Sequence, residues 1–441
     1  MYVWQARNLI MFGFRFGNEQ ARSTRVLFPG ETTRHSLRDN PGRMRGQALL
    51  VPGPVEVSVK HSAWATAALA VSATLVVAAC GSSTSSASSS SSSSSSSTAT
   101  SSAAAGTGAK TLGCMVTDTG GINDRSFNAS SWAGMQAAAA ANSNITVKYL
   151  QSTTQSDYTP NINTFIGEKC NIIVTVGFLM GAATEAAAKA NPTQKFAIVD
   201  CSYATGCLTG TKEPNIDQLT YNTVQDGFLG GYLAAGVSKT GKVATFGGIE
   251  LPTVTIYMDG FWDGVQYYNS KHGTHVQVLG WNEQTQKGSF TGDFTNQTKG
   301  QTLTQTFISE GADVIFPVAG NVGLGAAKAV QSADQSAGSD KVNMEWVDVD
   351  GCVSAAQYCQ YFITSVEKGI VASVKGVVLS VANGTFAGGT YIGTLANGGA
   401  VLAPFHDFAA KIPGPLQREL TQLATGISDG SIPTATKSPV T

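Results

Sequence analysis

Several short β-branched runs in this chain are followed at once by residue types that bind small polar molecules. After Thr111 to Val116 come Asp118, Gly120, Asp124, Phe127 and Asn128; after Asn171 to Val176 come Gly177 and Phe178. Asp200 and Cys201 follow Lys195 to Val199, Gly320 follows Val314 to Pro317, and Asp348 and Asp350 follow Met344 to Val347. Carboxylates accept paired hydroxyl donors, an amide offers both donor and acceptor, and an aromatic ring covers a flat face. In open α/β sheets the ligand crevice lies beyond the carboxyl ends of the strands. The recurrence of these residues at one kind of position therefore predicts a single crevice, although an enzyme would place its residues there too.

The elements that must position them alternate. Strands are predicted at Thr111 to Val116, Thr146 to Leu150, Asn171 to Val176, Lys195 to Val199, Lys242 to Phe246, His275 to Leu279, Val314 to Pro317 and Met344 to Val349. Ala-rich or amphipathic stretches between them read as helices at Ser126 to Ala141, Tyr158 to Lys169, Met180 to Ala190 and Val224 to Ser238. The same pattern gives helices at Val254 to Ser270, Lys299 to Glu310, Asn321 to Ala333 and Lys368 to Ala382. Such alternation gives βαβ units with parallel sheets, and its length exceeds one comfortable sheet, so two α/β lobes are expected. The lobe boundaries read from the sequence are 110–217 for the first, 218–350 for the second, 351–400 returning to the first, and 401–441 crossing the hinge.

Composition removes other classes. Residues 1–79 carry nine Lys or Arg against four Asp or Glu, whereas the rest carries 19 against 25, so no basic surface for nucleic acid is expected. Beyond residue 80 there are only His272, His275 and His406 and no Cys-x-x-Cys, which argues against a metal or iron-sulfur centre, and no cofactor is expected. A monomer is expected.

Residues 62–79 form an uncharged apolar run after Lys60 and His61, and Val77-Ala78-Ala79-Cys80 then meets a Ser tract. This is the layout of a secretory signal at 57–79, and it resembles a bacterial lipobox in which the Cys80 thiol is acylated; a retained membrane helix is the weaker alternative. Residues 80–109 read as a flexible tether. Residues 1–56 fit nothing ahead of a signal and read as a mis-assigned extension, with the true start near Met44 or Val57. Setting Cys80 aside leaves Cys114, Cys170, Cys201, Cys207, Cys352 and Cys359, enough for three disulfides in an oxidising exterior. Short loops favour Cys201 with Cys207 and Cys352 with Cys359, but connectivity stays open.

The ordered set Asp118 to Asn128, Asn191-Pro192 with Phe196 to Asp200, Lys242 to Gly248, and Gly260-Phe261 with Gly264-Val265 resembles the basic membrane protein family, the PnrA-like group of substrate-binding lipoproteins serving ABC importers. Gly288-Ser289-Phe290, Gly311 to Phe316, and Thr364-Ser365 with Lys368 extend the match, which runs from about Thr111 to Pro433. The resemblance implies a type I periplasmic-binding-protein fold, two Rossmann-like lobes closing on a purine nucleoside, with an ABC permease as partner and a lipid anchor on the outer side of the cell membrane. It implies that Phe127 stacks on the base, with Phe294 favoured over Phe290 for the opposite face because Gly288 to Gly300 is longer than the family's usual pattern. Asp118 and Asn128 would meet the base edge, Asp200 would also bond the ligand, and Asp348, Gly320 and Lys368 would line the far side, with Asp348 on the ribose hydroxyls.

Catalysis fits less well. No Gly-x-Ser-x-Gly elbow occurs and no phosphate-binding Gly-Lys-Ser/Thr loop follows a strand. Asp118 with Asp200 could serve as acid and base in a nucleoside hydrolase, but the Asp cluster that would hold its metal is missing, and no enzyme is expected. A ligand-sensing receptor for another small solute remains the alternative to import.

Overall fold

A computed structural model describes residues 108–438; the extension, the signal segment, Cys80 and the tether up to residue 107 lie outside the described residues. The first sheet contains β1 Thr111–Val116, β2 Ile145–Leu150, β3 Ile172–Val176, β4 Lys195–Val199 and β5 Ile216–Tyr221. The second contains β6 Lys242–Gly247, β7 Gln277–Leu279, β10 Val314–Val318, β11 Asn343–Asp348 and β12 Phe362–Lys368, and a small hairpin of β8 Trp281–Asn282 and β9 Lys287–Gly288 lies between β7 and β10 in sequence. One late strand joins each sheet, β13 Gly389–Gly393 the first and β14 Ala400–Leu402 the second. The strand orders are β13-β5-β4-β3-β1-β2 and β14-β12-β11-β10-β6-β7, and all pairings are parallel except β12 with β14 and the hairpin.

Each sheet is covered on both faces, which is why its central strands are almost unbroken apolar runs. In β3, Ile172, Val174 and Val176 face one core and Ile173 the other. Helices α1 Phe127–Ala141 and α9 Ile370–Ala382 cover one face of the first sheet, and α2 Tyr158–Gly167 and α3 Gly181–Ala190 the other. On the second sheet α4 Val224–Val237, α5 Pro252–His272 and α10 Gly414–Ser428 oppose α6 Gln297–Ser309 and α7 Val322–Ala337, and the short α8 Gly351–Ser354 follows β11. The cysteines pair Cys114–Cys170, Cys201–Cys207 and Cys352–Cys359.

Several expected boundaries are corrected. Residues 351–368, expected in the first lobe, belong to the second, because β12 pairs with β11; the chain returns to the first lobe only with α9 and β13. Residues 218–221, expected in the second lobe, complete β5 of the first sheet. The segment 401–441, expected to cross the hinge, packs its helix α10 on α4 of the second lobe. Lys368, expected in a helix, ends β12. Polar residues hid these strands: in β12, Thr364 Oγ1 donates to Ala403 O at 2.9 Å and Ser365 Oγ accepts from Gly351 N at 2.9 Å, so a sequence that reads as polar is fully buried.

Helices α4 and α5 approach closely enough to fix the rim of the crevice. A Cβ on Gly231 would fall 1.9 Å from Phe261 O, and one on Gly264 would fall 2.0 Å from Phe228 O. Both contacts are with backbone, so a side chain forces the helices apart. Gly231→Ala is expected to destabilise the fold by about 3 kcal/mol through overpacking, measured by denaturant unfolding. Gly376 on α9 has open space around it, and Gly376→Ala is expected to be neutral or stabilising by up to about 1 kcal/mol; equal effects from the two substitutions would refute the close-packing account.

Candidate functional site: a carboxylate-rich crevice between two lobes

The ends of β1, β3 and β4 from one sheet and of β10, β11 and β12 from the other converge on one crevice with about 530 Å³ of atom-free space, counting its open mouth. Of the nine predicted ligand residues it brings together eight: Asp118, Phe127, Asn128, Asp200, Phe294, Gly320, Asp348 and Lys368. Phe290 is not among them. Its ring lies against Gly247, where a Cβ would sit 2.5 Å away, and edge-on to Trp281 at 6.0 Å, so it packs into the second lobe. Phe294, whose ring lies against Gly248, lines the crevice instead.

The loop after β1 sorts its two carboxylates by task. Asp124 accepts from the backbone N–H groups of Ser126, Asn128 and Ala129 at 3.0, 2.7 and 3.0 Å, so it is the carboxylate that caps the start of α1. Burial pushes its carboxyl up to about 6 against those donors. Asp118 caps no helix: Oδ1 accepts from Gly120 N at 3.0 Å and Asn128 Nδ2 at 2.9 Å. Burial also raises the Asp118 carboxyl, and those two donors draw it back. Asp118 Oδ2 lies 2.5 Å from where a Cβ on Gly177 would stand, and Gly177 has φ +111, so glycine is required there on both counts. Asn128 Nδ2 serves Asp118 and Asp124, while its buried Oδ1 has no hydrogen-bond partner.

Lys368 occupies the centre. Its Nζ donates to Asp200 Oδ2 at 2.5 Å and lies 3.6 Å from Asp348 Oδ1, with all three side chains under 10% exposed. The rings of Phe127 and Tyr257 stand 5.3 and 5.0 Å from the same ammonium. Burial would lower the lysine, but the Asp200 and Asp348 charges outweigh it and hold its pKa above the ordinary value. Burial pushes the Asp200 carboxyl up to about 6, with Lys368 pulling it down and Asp348 and Asp118 pushing it further up. Asp200 and Asp348 have φ +61 and +67, a sterically restricted turn that aims each carboxylate inward from its strand end.

The lobes touch through these groups. Ser126 Oγ donates to Asp348 Oδ2 at 2.7 Å, and Trp346 Nε1 donates to Arg125 O at 3.2 Å. Within the second lobe, Tyr257 OH donates to Oδ1 of the same Asp348 at 3.2 Å. Sequence reasoning missed Tyr257, Ser126, Trp346 and the capping role of Asp124. The spacing of Asp124 two residues before Ser126 and four before Asn128 was a legible capping signal, whereas Tyr257 sits inside an amphipathic helix and reads as core. Asp350, which shared a loop with Asp348 in the sequence, faces elsewhere, capping α8 through Cys352 N.

The family described as ABC transporter substrate-binding protein PnrA-like matches residues 112–421. The ABC transporter nucleoside-binding protein BmpA of Lactococcus lactis subsp. cremoris is 30% identical over 336 residues, covering 73% of this chain and 88% of that protein. The CD4+ T-cell-stimulating antigen of Listeria monocytogenes is 31% identical over 288 residues, covering 63% and 75%. Among solved structures, an ABC transporter solute-binding protein from Aeropyrum pernix K1 aligns with a TM-score of 0.64 at 24% identity, over 74% of this chain and 93% of that one. One from Conexibacter woesei aligns with a TM-score of 0.57 at 20% identity, over 75% and 100%. These likenesses show the fold, which is the type I periplasmic-binding-protein fold.

Lys368→Met leaves Asp200 and Asp348 buried without their cation and is expected to cost about 3 to 5 kcal/mol at pH 8. The Asp200 carboxyl is raised, so its protonation favours the folded state: that contribution is complete below about pH 4 and is lost as pH rises through 6. Without Lys368 the carboxyl rises further, so the penalty must shrink at pH 5. Urea unfolding of both proteins at the two pH values tests this, and a penalty independent of pH would refute the assignment.

Proposed function

The chain belongs to the PnrA-like family of ABC transporter substrate-binding proteins, and from that premise we propose that it captures a purine nucleoside between its lobes and delivers it to an ABC importer. The observation that carries the ligand class is that each lobe brings an aromatic ring, Phe127 and Phe294, to a crevice that also holds four carboxylates, an amide and one ammonium among apolar residues such as Leu251, Val254 and Val318. Two rings suit the two faces of a flat heterocycle. Carboxylates that only accept suit a ligand rich in hydroxyl and amino donors, such as ribose and an amino-substituted base. The nucleoside-binding relative from Lactococcus supports the same ligand class.

The mechanism follows from the lobe-to-lobe contacts. Asp118, Phe127, Asn128 and Asp200 belong to one lobe; Phe294, Gly320, Asp348 and Lys368 belong to the other. A ligand that touches both sets gains its full contacts only when the lobes are closed, so it shifts the equilibrium toward that form by its differential affinity. Asp348, already bonded by Ser126 and Tyr257, is held to receive ribose hydroxyls, and Asp118 with Asn128 Oδ1 addresses the base edge. The closed form is what the importer recognises. Cys80 is the anchor in this reading, and Cys80→Ser is expected to move the protein from the membrane fraction to the medium or soluble extract.

Calorimetric titration of the purified protein against purine and pyrimidine nucleosides, free bases and ribose tests the ligand class. A purine nucleoside is expected to bind far more tightly than its separate base or sugar, and silence across the panel from folded protein would sink the reading. Phe127→Ala and Phe294→Ala are each expected to weaken binding about tenfold or more, the cost of one stacking face, while Phe290→Ala alters stability more than affinity. Affinity is expected to fall as pH is lowered through 6, where Asp200 takes up a proton and ceases to be a full acceptor.

A further inference from the structure

The turn after Asp348 carries a second group of chemically competent side chains that the crevice does not use. Asp350 Oδ2 and His406 Nε2 lie 2.7 Å apart, and Cys352 Sγ shares with both a cluster whose ligand atoms are all within 4.8 Å of one another. The carboxylate is already oriented, because Asp350 Oδ1 accepts from Cys352 N at 2.9 Å. The imidazole is held by backbone with φ +40, a left-handed conformation that non-glycine residues rarely adopt and that clusters at functional positions. The group is partly exposed, with His406 at 32% and Asp350 at 18% of the side-chain surface, so an ion can reach it.

In this state the Cys352 sulfur is bonded to Cys359. Of the three disulfides this is the one whose cysteines are both partly exposed, whereas Cys114, Cys170, Cys201 and Cys207 are buried. Exchange requires an attacking thiolate to reach a sulfur, so a dithiol reduces this bond first.

We propose that reduction of Cys352–Cys359 opens a divalent metal site formed by the Cys352 thiolate, His406 Nε2 and an Asp350 carboxylate oxygen. A dithiol reductant transfers two electrons and two protons to the disulfide and becomes a disulfide itself, leaving Cys352 and Cys359 as thiols. Metal binding releases the Cys352 thiol proton to solvent, takes the imidazole in its neutral form, and leaves a fourth position for water. One sulfur, one nitrogen and one oxygen suit a borderline-soft, four-coordinate ion of the zinc class; calcium and magnesium, which take oxygen ligands, are excluded by the same set.

Cys359→Ser in the full chain frees Cys352 without reductant and leaves the other disulfides intact. Titrated with Co²⁺, this variant is expected to bind one equivalent with a thiolate-to-cobalt charge-transfer band that Zn²⁺ abolishes. Binding is expected to be at least tenfold tighter than in Cys352→Ser/Cys359→Ser or Cys359→Ser/His406→Ala. No band, or equal affinity in the double variants, would overturn the proposal. The unaltered protein gives a check independent of any variant's folding: after mild dithiol treatment, alkylation mapping is expected to find Cys352 and Cys359 modified first, with the band appearing in unalkylated samples. Modification of another pair first, or reduction of this pair without the band, would equally overturn it.

Discussion

A single buried ammonium, that of Lys368, holds the interior of this protein together across its two lobes. It comes from the end of a strand in the second sheet and meets Asp200 at the end of a strand in the first, with Asp348 as its second carboxylate. Around it stand Asp118, Asp124 and the fully buried Asp226, so negative groups outnumber the one positive group. Burying unpaired charge is costly, and proteins reduce that cost by pairing, by hydrogen bonding or by protonation. All three occur here: Lys368 pairs Asp200, Asp124 accepts backbone donors, and burial pushes Asp226 far toward its protonated form. This surplus of acceptors is the basis on which the proposed function assigns the crevice a neutral, donor-rich solute in preference to a phosphate.

The same arrangement joins the two lobes through polar contacts. Lys368 with Asp200, Ser126 with Asp348, and Trp346 with Arg125 each join one lobe to the other. Lys368 with Asp200 and the Asp348 end of the Ser126 contact border the volume a ligand would fill, whereas Trp346 with Arg125 joins the lobes beside it. Under the proposed function, a solute that completes this polar network firms the closure of the lobes, the general logic of hinge-type binding proteins. The rigid element opposite is α5, whose first turns line the crevice and whose glycine-faced packing against α4 prevents the rim from drifting.

Much of this was legible in the residues. The alternation of apolar runs and helices, the two-lobed α/β class, and the placement of acidic, amide and aromatic residues after strands follow from local periodicity and from the geometry of parallel sheets. Asp118, Phe127, Asn128 and Asp200 follow strands in sequence, where a crevice forms, and the family resemblance singled them out from the other residues at such positions. What failed were elements whose buried polar residues find partners far away. The strand β12 reads Thr-Ser in its middle and looks polar, yet Ala403 O and Gly351 N satisfy both hydroxyls, so the sequence places Lys368 in a helix and the return to the first lobe too early.

The sequence by itself determined the class of fold, the six cysteines available for pairing, and a short set of groups able to hold a small polar ligand, because these depend on composition and on spacing along the chain. Only the tertiary structure decided which cysteines pair, that Phe294 rather than Phe290 reaches the crevice, and that Asp348 rather than Asp350 faces it. In the last two cases neighbouring residues of the same type point in different directions. The packing of Phe290 on Gly247 and the partnership of Asp350 with His406 are contacts between segments distant in sequence. Local sequence carries no information about which of two equivalent side chains a distant surface will accept.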